Sequence, residues 1–362
     1  MRTLKRLVAV VALGLAARAY AGSRPADEPR ASHADAAIPP ASSAGVPAAP
    51  SMAPRQRGVA LGMFAEDVSF SYNKLLAEIV ALGATHVALV VPIYQTDGGS
   101  HDLHYHTRLS PTLALVADTI RAARRDGLEV TLFPIVRLSA PRAGEWRGNL
   151  APRDPAAWFR HYADVLGDLA ALAEATAATR LVVGSELSSL DGARDLPRWK
   201  ELLERVRGLY RGTLVYSANW DHYRDARVLD LVDEAGVTGY FNLREPTAAD
   251  DDATIEAGWR RVRAELEAWS APRGRGFVFT ELGYRSCAGA TATPWDEGGR
   301  CTPDLEEQRR GFAAFRKVWA GAPALEGLYV WNWYGWGGPA TTGYTPRGKP
   351  AELEVRRLLE EL

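Results

Sequence analysis

The chain reads as an α/β protein closed into one (β/α)8 TIM barrel. Two observations predict this fold. Eight short apolar runs alternate with amphipathic stretches of helical period, and two of those runs stop at a glutamate. Runs that apolar, interleaved with helices, imply a parallel sheet covered on both faces. Eight such units favour closure, and a closed barrel gathers its chemistry at the carboxyl ends of its strands.

The strand runs are Gly58–Phe64, Ala84–Val91, Glu129–Val136, Arg180–Ser185, Thr213–Ser217, Ala235–Tyr240, Phe277–Thr280 and Gly327–Trp331. Helical patterns fill the intervals at Tyr72–Leu82, Pro111–Asp126, Pro155–Ala175, Leu196–Tyr210, Ala253–Ser270 and Leu305–Ala320, and a last one covers Ala351–Leu362. The fifth interval, around Ala226–Leu231, carries the weakest helical pattern. Neither a dinucleotide-binding glycine fingerprint nor a phosphate-binding loop motif is present.

The first residues read differently. Arg2, Lys5 and Arg6 precede an apolar stretch from Leu7 to Ala17 and the small-residue site Ala19-Tyr20-Ala21. That order predicts a signal peptide over 1–21. The apolar stretch is shorter than the roughly 20 residues of a membrane span. Residues 22–57 are rich in Ala, Pro and Ser and cannot bury enough surface to offset ordering entropy, so a disordered linker is expected there. The barrel domain is then 58–362. An exported protein meets an oxidising environment, so the only two cysteines, Cys287 and Cys301, are expected to pair.

With 43 basic and 44 acidic residues interspersed, the formal charge is −1. No basic stripe marks a nucleic-acid surface, and no motif calls for a cofactor. A monomer without stable membrane insertion is the working expectation.

Glu186 closes the run Leu181-Val182-Val183-Gly184-Ser185, and Glu281 closes Phe277-Val278-Phe279-Thr280. A carboxylate packs poorly at the end of a buried strand and is well placed to face a barrel mouth. Two of them suggest glycoside hydrolysis, which needs one carboxyl as acid/base and another as nucleophile or base, so the expected partner is a polysaccharide or oligosaccharide. The plainer reading pairs each with an arginine; two such glutamates on one mouth weigh against it. Other strand ends offer Tyr240 and Trp331, with Asn219 and Trp220 after the fifth strand and Arg137 after the third. Tryptophan faces suit the C–H face of a sugar, so Trp220, Trp331, Trp333 and Trp336 are platform candidates, and packing alone would account for at least one. Arg137 and Asn219 are candidates for sugar hydroxyls, although Arg137 would serve equally as an ion-pair partner. His101, His104 and His106, near Asp97 and Asp102, fit no standard metal spacing; a sugar subsite or a solvated loop remains open for them. Ser185 and Ser217 have only His222 nearby, and the context of a serine hydrolase is missing.

Three stretches carry a resemblance. Val183-Gly184-Ser185-Glu186-Leu187, Phe279-Thr280-Glu281-Leu282-Gly283-Tyr284 and Gly343-Tyr344-Thr345-Pro346-Arg347-Gly348-Lys349-Pro350-Ala351 resemble glycoside hydrolase family 113, as does Trp146-Arg147-Gly148. The resemblance implies a clan A barrel, a retaining mechanism and, typically, internal cleavage of β-1,4-mannan. It also implies roles: Glu186 as acid/base, Glu281 as nucleophile, Trp331 as the floor of the cleaved sugar, and Tyr240 as hydrogen-bond donor to the nucleophile. Many clan A enzymes carry Asn before the acid/base, where this chain has Ser185. That departure leaves the identity of the sugar open, with a β-glucan or an amino-sugar polymer as alternatives. A non-catalytic carbohydrate-binding barrel is the alternative from another class.

Overall fold

The computed structural model describes residues 54–67, 70–298 and 301–362. The expected signal peptide, 1–21, lies outside them, as does most of the expected linker. Eight parallel strands form a closed barrel in sequence order, with β8 returning to pair with β1. They are β1 Gln56–Gly62, β2 His86–Gln95, β3 Glu129–Leu138, β4 Arg180–Ser185, β5 Thr213–Ala218, β6 Glu234–Thr238, β7 Phe277–Leu282 and β8 Leu325–Val330. The TIM-barrel expectation therefore holds strand for strand. Because β1 already begins at Gln56, Gln56 and Arg57 are barrel residues, where the sequence reading had put them in the linker.

Seven α-helices cover the strands among the described residues: α1 Asn73–Ala81, α2 Leu113–Arg125, α3 Pro155–Thr176, α4 Leu196–Arg207, α5 Asp252–Ser270, α6 Leu305–Trp319 and α7 Pro350–Glu361. Four start at side-chain caps, with Thr112, Asp154, Asp251 and Asp304 each accepting from a backbone N–H of the first turn. Each cap contributes about 1 kcal/mol. The weak fifth pattern is a 3-10 turn, Arg227–Leu231, in place of a helix. This five-residue turn is the helical part of the connection from β5 to β6, which therefore lacks a full helical layer.

Strand residues alternate between two apolar layers, as a period of two requires. Val59, Leu61, Val87 and Leu89 face the helices, whereas Ala60, Ala88, Val90, Phe133, Val182, Val215 and Val278 fill the barrel itself. Deep in the barrel, Tyr329 Oη is bonded to Thr131 Oγ1 and Gln56 Oε1, and Arg180 pairs with Glu234. The interior is thus packed and satisfied below, leaving the carboxyl ends of the strands as the open face.

The closing Pro-Arg-Gly-Lys-Pro stretch ties this face together. Arg347 forms a bidentate pair with Glu78 of α1, which also accepts the indole N–H of Trp333 at 3.0 Å. Lys349 Nζ donates to Ser286 Oγ at 2.9 Å and to the carbonyl of Gly343 at 3.1 Å. Its burial pushes the ammonium down to about 8. Cys287 and Cys301 are joined, with Cα atoms 5.8 Å apart, as expected. Among the described residues no helix is long and apolar enough to cross a membrane.

Candidate active site

Local irregularities aim the two glutamates at one cavity. Glu186 directly follows β4 and takes a left-handed backbone, φ +54°. A non-glycine residue rarely adopts that conformation, at a cost of order 1–3 kcal/mol that clusters at functional sites. Its N–H is held by the carbonyl of Ser217 at 2.8 Å. Glu281 sits one residue inside β7, which runs on to Leu282, beyond the Thr280 end read from sequence. The ladder to β8 slips between Phe279 and Leu282, and the ladder to β6 slips where Thr238 meets Glu281. Slips of this kind bend a strand and re-aim a side chain. Gly283 matters for the same reason: a Cβ there would stand 2.5 Å from the carbonyl oxygen of Trp331. Only glycine lets the end of β7 lie this close to the residue that follows β8.

The cavity, of about 630 Å³, is lined by Glu186 and Glu281 together with Trp146, Arg147, Asn219, Trp220, Asp221, Tyr240, Asn242, Trp295, Glu297, Trp331 and Tyr344. Tyr240 donates its hydroxyl to Glu281 Oε2 at 2.8 Å, while Glu281 Oε1 is buried with no hydrogen-bond partner. Burial pushes the Glu281 carboxyl up to about 8, helped by the neighbouring Glu186 carboxylate and resisted by Arg147 and the Tyr240 bond. Tyr240 is itself pushed well above its ordinary value by burial and by Glu281, so it remains a donor. Arg147 donates to Glu186 Oε2. Burial works against the Arg147 charge, but Glu186, Glu281 and Glu297 outweigh it and hold the guanidinium above its ordinary value.

A second lobe, of about 270 Å³, shares Trp146, Arg147, Glu297, Trp331 and Tyr344 with the first and adds Phe64, Arg137 and Asn332. Trp331 therefore stands where the lobes meet. Arg137 lies over the Phe64 ring, 5.7 Å from its centroid. Of the residues singled out from sequence, Glu186, Glu281, Tyr240, Trp331, Asn219 and Trp220 meet in the first lobe and Arg137 lines the second. Trp333 does not join them: it is buried in the core and bonded to Glu78. Strand geometry ends at Val330, and past it the chain sets Trp331 in the mouth and Trp333 in the layer that faces the helices. Trp336 is almost fully exposed and lines neither lobe.

The histidine loop is also accounted for. His106 Nδ1 accepts from the backbone N–H groups of Arg108 and Leu109, and His104 Nδ1 meets the carbonyl of Asp102. His101, His104 and His106 line neither lobe. Ser185 turns to Ser217, which is bonded to Thr280 at 2.7 Å, and His222 engages Asp191. No serine–histidine pair forms among these residues. The three carboxyls Asp250, Asp304 and Glu307 cluster together, and Arg244 and Arg310 supply the countercharge.

Sequence reasoning missed Arg147, Asp221, Asn242, Trp146, Trp295, Glu297 and Tyr344 as cavity residues. The Trp146-Arg147-Gly148 run was a visible signal. The others sit in irregular loops with no periodicity to mark which way they face.

Two carboxyls and a tryptophan lining one cavity at the carboxyl end of a β/α barrel are the arrangement a glycoside hydrolase uses. The model of Glycoside Hydrolase Family 113 matches residues 61–337. The chain belongs to that family. A family 113 β-mannanase from Alicyclobacillus acidocaldarius, solved in complex with ManMIm, superposes with a TM-score of 0.75 at 23% identity, covering 85% of this chain and 98% of that one. A family 113 β-1,4-mannanase, also solved as a complex, gives 0.75 at 21%, covering 86% of this chain and 100% of that one. A GH5_18 protein from Streptomyces cattleya in complex with Manβ1-4GlcNAc gives 0.57 at 15%, covering 85% and 80% respectively. At these identities the likeness speaks to the fold. Among curated proteins none matches.

Proposed function

We propose that this chain cleaves β-1,4-linked mannan internally, with retention, using Glu281 as nucleophile and Glu186 as acid/base. The observation that carries the reading is the Glu281 carboxyl: one oxygen clamped by Tyr240, the other unpartnered, in the same cavity as Glu186. In the first step Glu281 Oε1 attacks the anomeric carbon as Glu186 gives its proton to the leaving oxygen. The product is a glycosyl ester of Glu281. In the second step Glu186, now a carboxylate, takes a proton from water, which attacks the same carbon and frees Glu281.

Other residues have supporting parts in this reading. Trp331 floors the sugar at the cleavage point and Tyr240 orients the nucleophile. Trp220 offers a further ring face. Asn219 and Asn242 are the amides that face the cavity, whereas Ser185, bonded to Ser217, is turned away from it. Arg137 meets hydroxyls in the second lobe. Mannan is favoured because the chain belongs to family 113 and two of the structural relatives are named as β-mannanases. Two lobes meeting at Trp331 favour a cleft that accepts sugars on both sides of the cut, hence internal cleavage. Residues 1–21 are read as an export signal and 22–57 as a linker, and the Cys287–Cys301 bond suits an oxidising compartment. The barrel is taken to act as a monomer.

The test is a digest panel of β-mannan, β-glucan, xylan and chitin oligosaccharides, with products resolved by mass and Glu281→Gln run in parallel. Manno-oligosaccharides of several lengths from wild type alone are the expected result. Products from another glycan alone would keep the chemistry and overturn the substrate. A variant as active as wild type would overturn the nucleophile.

A further inference from the structure

The cavity wall carries an aromatic ring for which the catalytic steps have no use. We propose that Trp295, on the disulfide-closed segment after β7, is a stacking platform for the sugar on the leaving-group side of the cut. This rests on the reading of Glu186 and Glu281 given above.

Trp295 is 50% exposed, and its open surface lines the larger lobe. The ring is held in place before any ligand arrives. Its Nε1 donates to Asn242 Oδ1 at 3.0 Å. On one side of it the carbonyl of Pro294 accepts from Tyr344 Oη at 2.6 Å; on the other the carbonyl of Gly298 accepts from Arg285 at 2.8 Å. The root of the segment is fixed as well. Glu307 accepts from the N–H groups of Gly289 and Thr291, and the Cys287–Cys301 bond closes the segment. A flat apolar face fixed in advance loses little entropy on binding, and that is the condition under which stacking adds affinity.

The side of the cut follows from how the lobes share residues. Trp331 belongs to both lobes, but both carboxyls and Trp295 belong only to the larger. A glycan lying over Trp331 with its scissile bond between the carboxyls has one arm in the smaller lobe, toward Arg137 and Phe64. Its other arm runs within the larger lobe, toward Trp220, Asn242 and Trp295. Glu186, which must reach the leaving oxygen, lies in that same larger lobe. The arm over Trp295 is therefore the one that departs.

The experiment compares kcat/KM for β-1,4-mannohexaose and 4-nitrophenyl β-mannobioside in wild type, Trp295→Ala, Trp295→Phe and Glu281→Gln. The ratio of hexaose to aryl glycoside is expected to fall about tenfold in Trp295→Ala, chiefly through KM, and to recover largely in Trp295→Phe. An unchanged ratio in Trp295→Ala, or an equal loss on both substrates that Phe does not restore, overturns the proposal and leaves the catalytic pair intact. Full activity in Glu281→Gln instead overturns the underlying reading, and this proposal with it.

Discussion

Replacing Glu281 by Gln is expected to stabilise the fold as pH rises, while abolishing turnover. In the native state burial, and then the Glu186 carboxylate, push the Glu281 carboxyl from an ordinary 4.5 up to about 8. Below 4.5 the residue is protonated in folded and unfolded chains alike, and no cost arises. Between 4.5 and about 8 the folded protein keeps a proton that the unfolded chain has released, so stability falls as pH rises through that window. Above it the full cost is present. At about 1.36 kcal/mol per pH unit the ceiling is roughly 5 kcal/mol. Part of that is mutual repulsion shared with Glu186, so about 2–3 kcal/mol is the working figure. Gln keeps the shape, can still accept from Tyr240 and carries no charge. Urea unfolding of both proteins, followed by tryptophan fluorescence from about pH 5 to about pH 9, measures the difference. The variant's advantage should be small at the acid end and grow toward the alkaline end. An advantage that is flat across pH, or a variant less stable near about pH 8, would refute the reasoning.

Tyr240→Phe removes the donor that holds Glu281 Oε2. A hydrogen bond to a charged group contributes about 1.5–3 kcal/mol, so kcat/KM should fall roughly 10- to 150-fold, with the acid limb of its pH profile moved upward. Arg147→Gln takes away a cation that lowers Glu281. The same limb should move upward there too, and an unmoved profile would sever the link between Arg147 and Glu281. Gly283→Ala puts a methyl 2.5 Å from the Trp331 carbonyl. Denaturant titration should show a loss of about 1–3 kcal/mol, together with weaker turnover. The Cys287→Ser/Cys301→Ser double variant opens a crosslink of sequence separation 14. It should cost about 3 kcal/mol by the same titration.

The barrel was legible because its signal is repeated. Each strand run is apolar for both faces, and each helix carries its own period, so errors at one boundary do not spread. The glutamates were legible for a related reason: a carboxylate that ends a buried run has no packing role. Trp333 shows where that logic stops. It is chemically as good a platform as Trp331, and only the backbone after β8 decides that one ring lines the mouth and the other goes to Glu78. Trp295 and Glu297 show the opposite failure. They lie in a long aperiodic segment, positioned by a disulfide and by side chains from four other parts of the chain, and no local pattern encodes that.

Burial of Glu281 works against the charge that the proposed first step needs on it. Arg147 is paired with Glu186, and burial leaves the proton on Glu281. The first step needs a proton on Glu186 and a charge on Glu281. A sugar seated on Trp331 supplies the bias for that exchange. Its leaving oxygen can accept a hydrogen bond only from a protonated Glu186. The positive character that develops at the anomeric carbon stabilises an ionised Glu281 beside it. In that proposal Arg147, paired with Glu186, works against a proton on it before the first step and keeps it a carboxylate at the start of the second. Glu281, kept protonated until substrate arrives, is spared the full cost of a buried charge in the empty site.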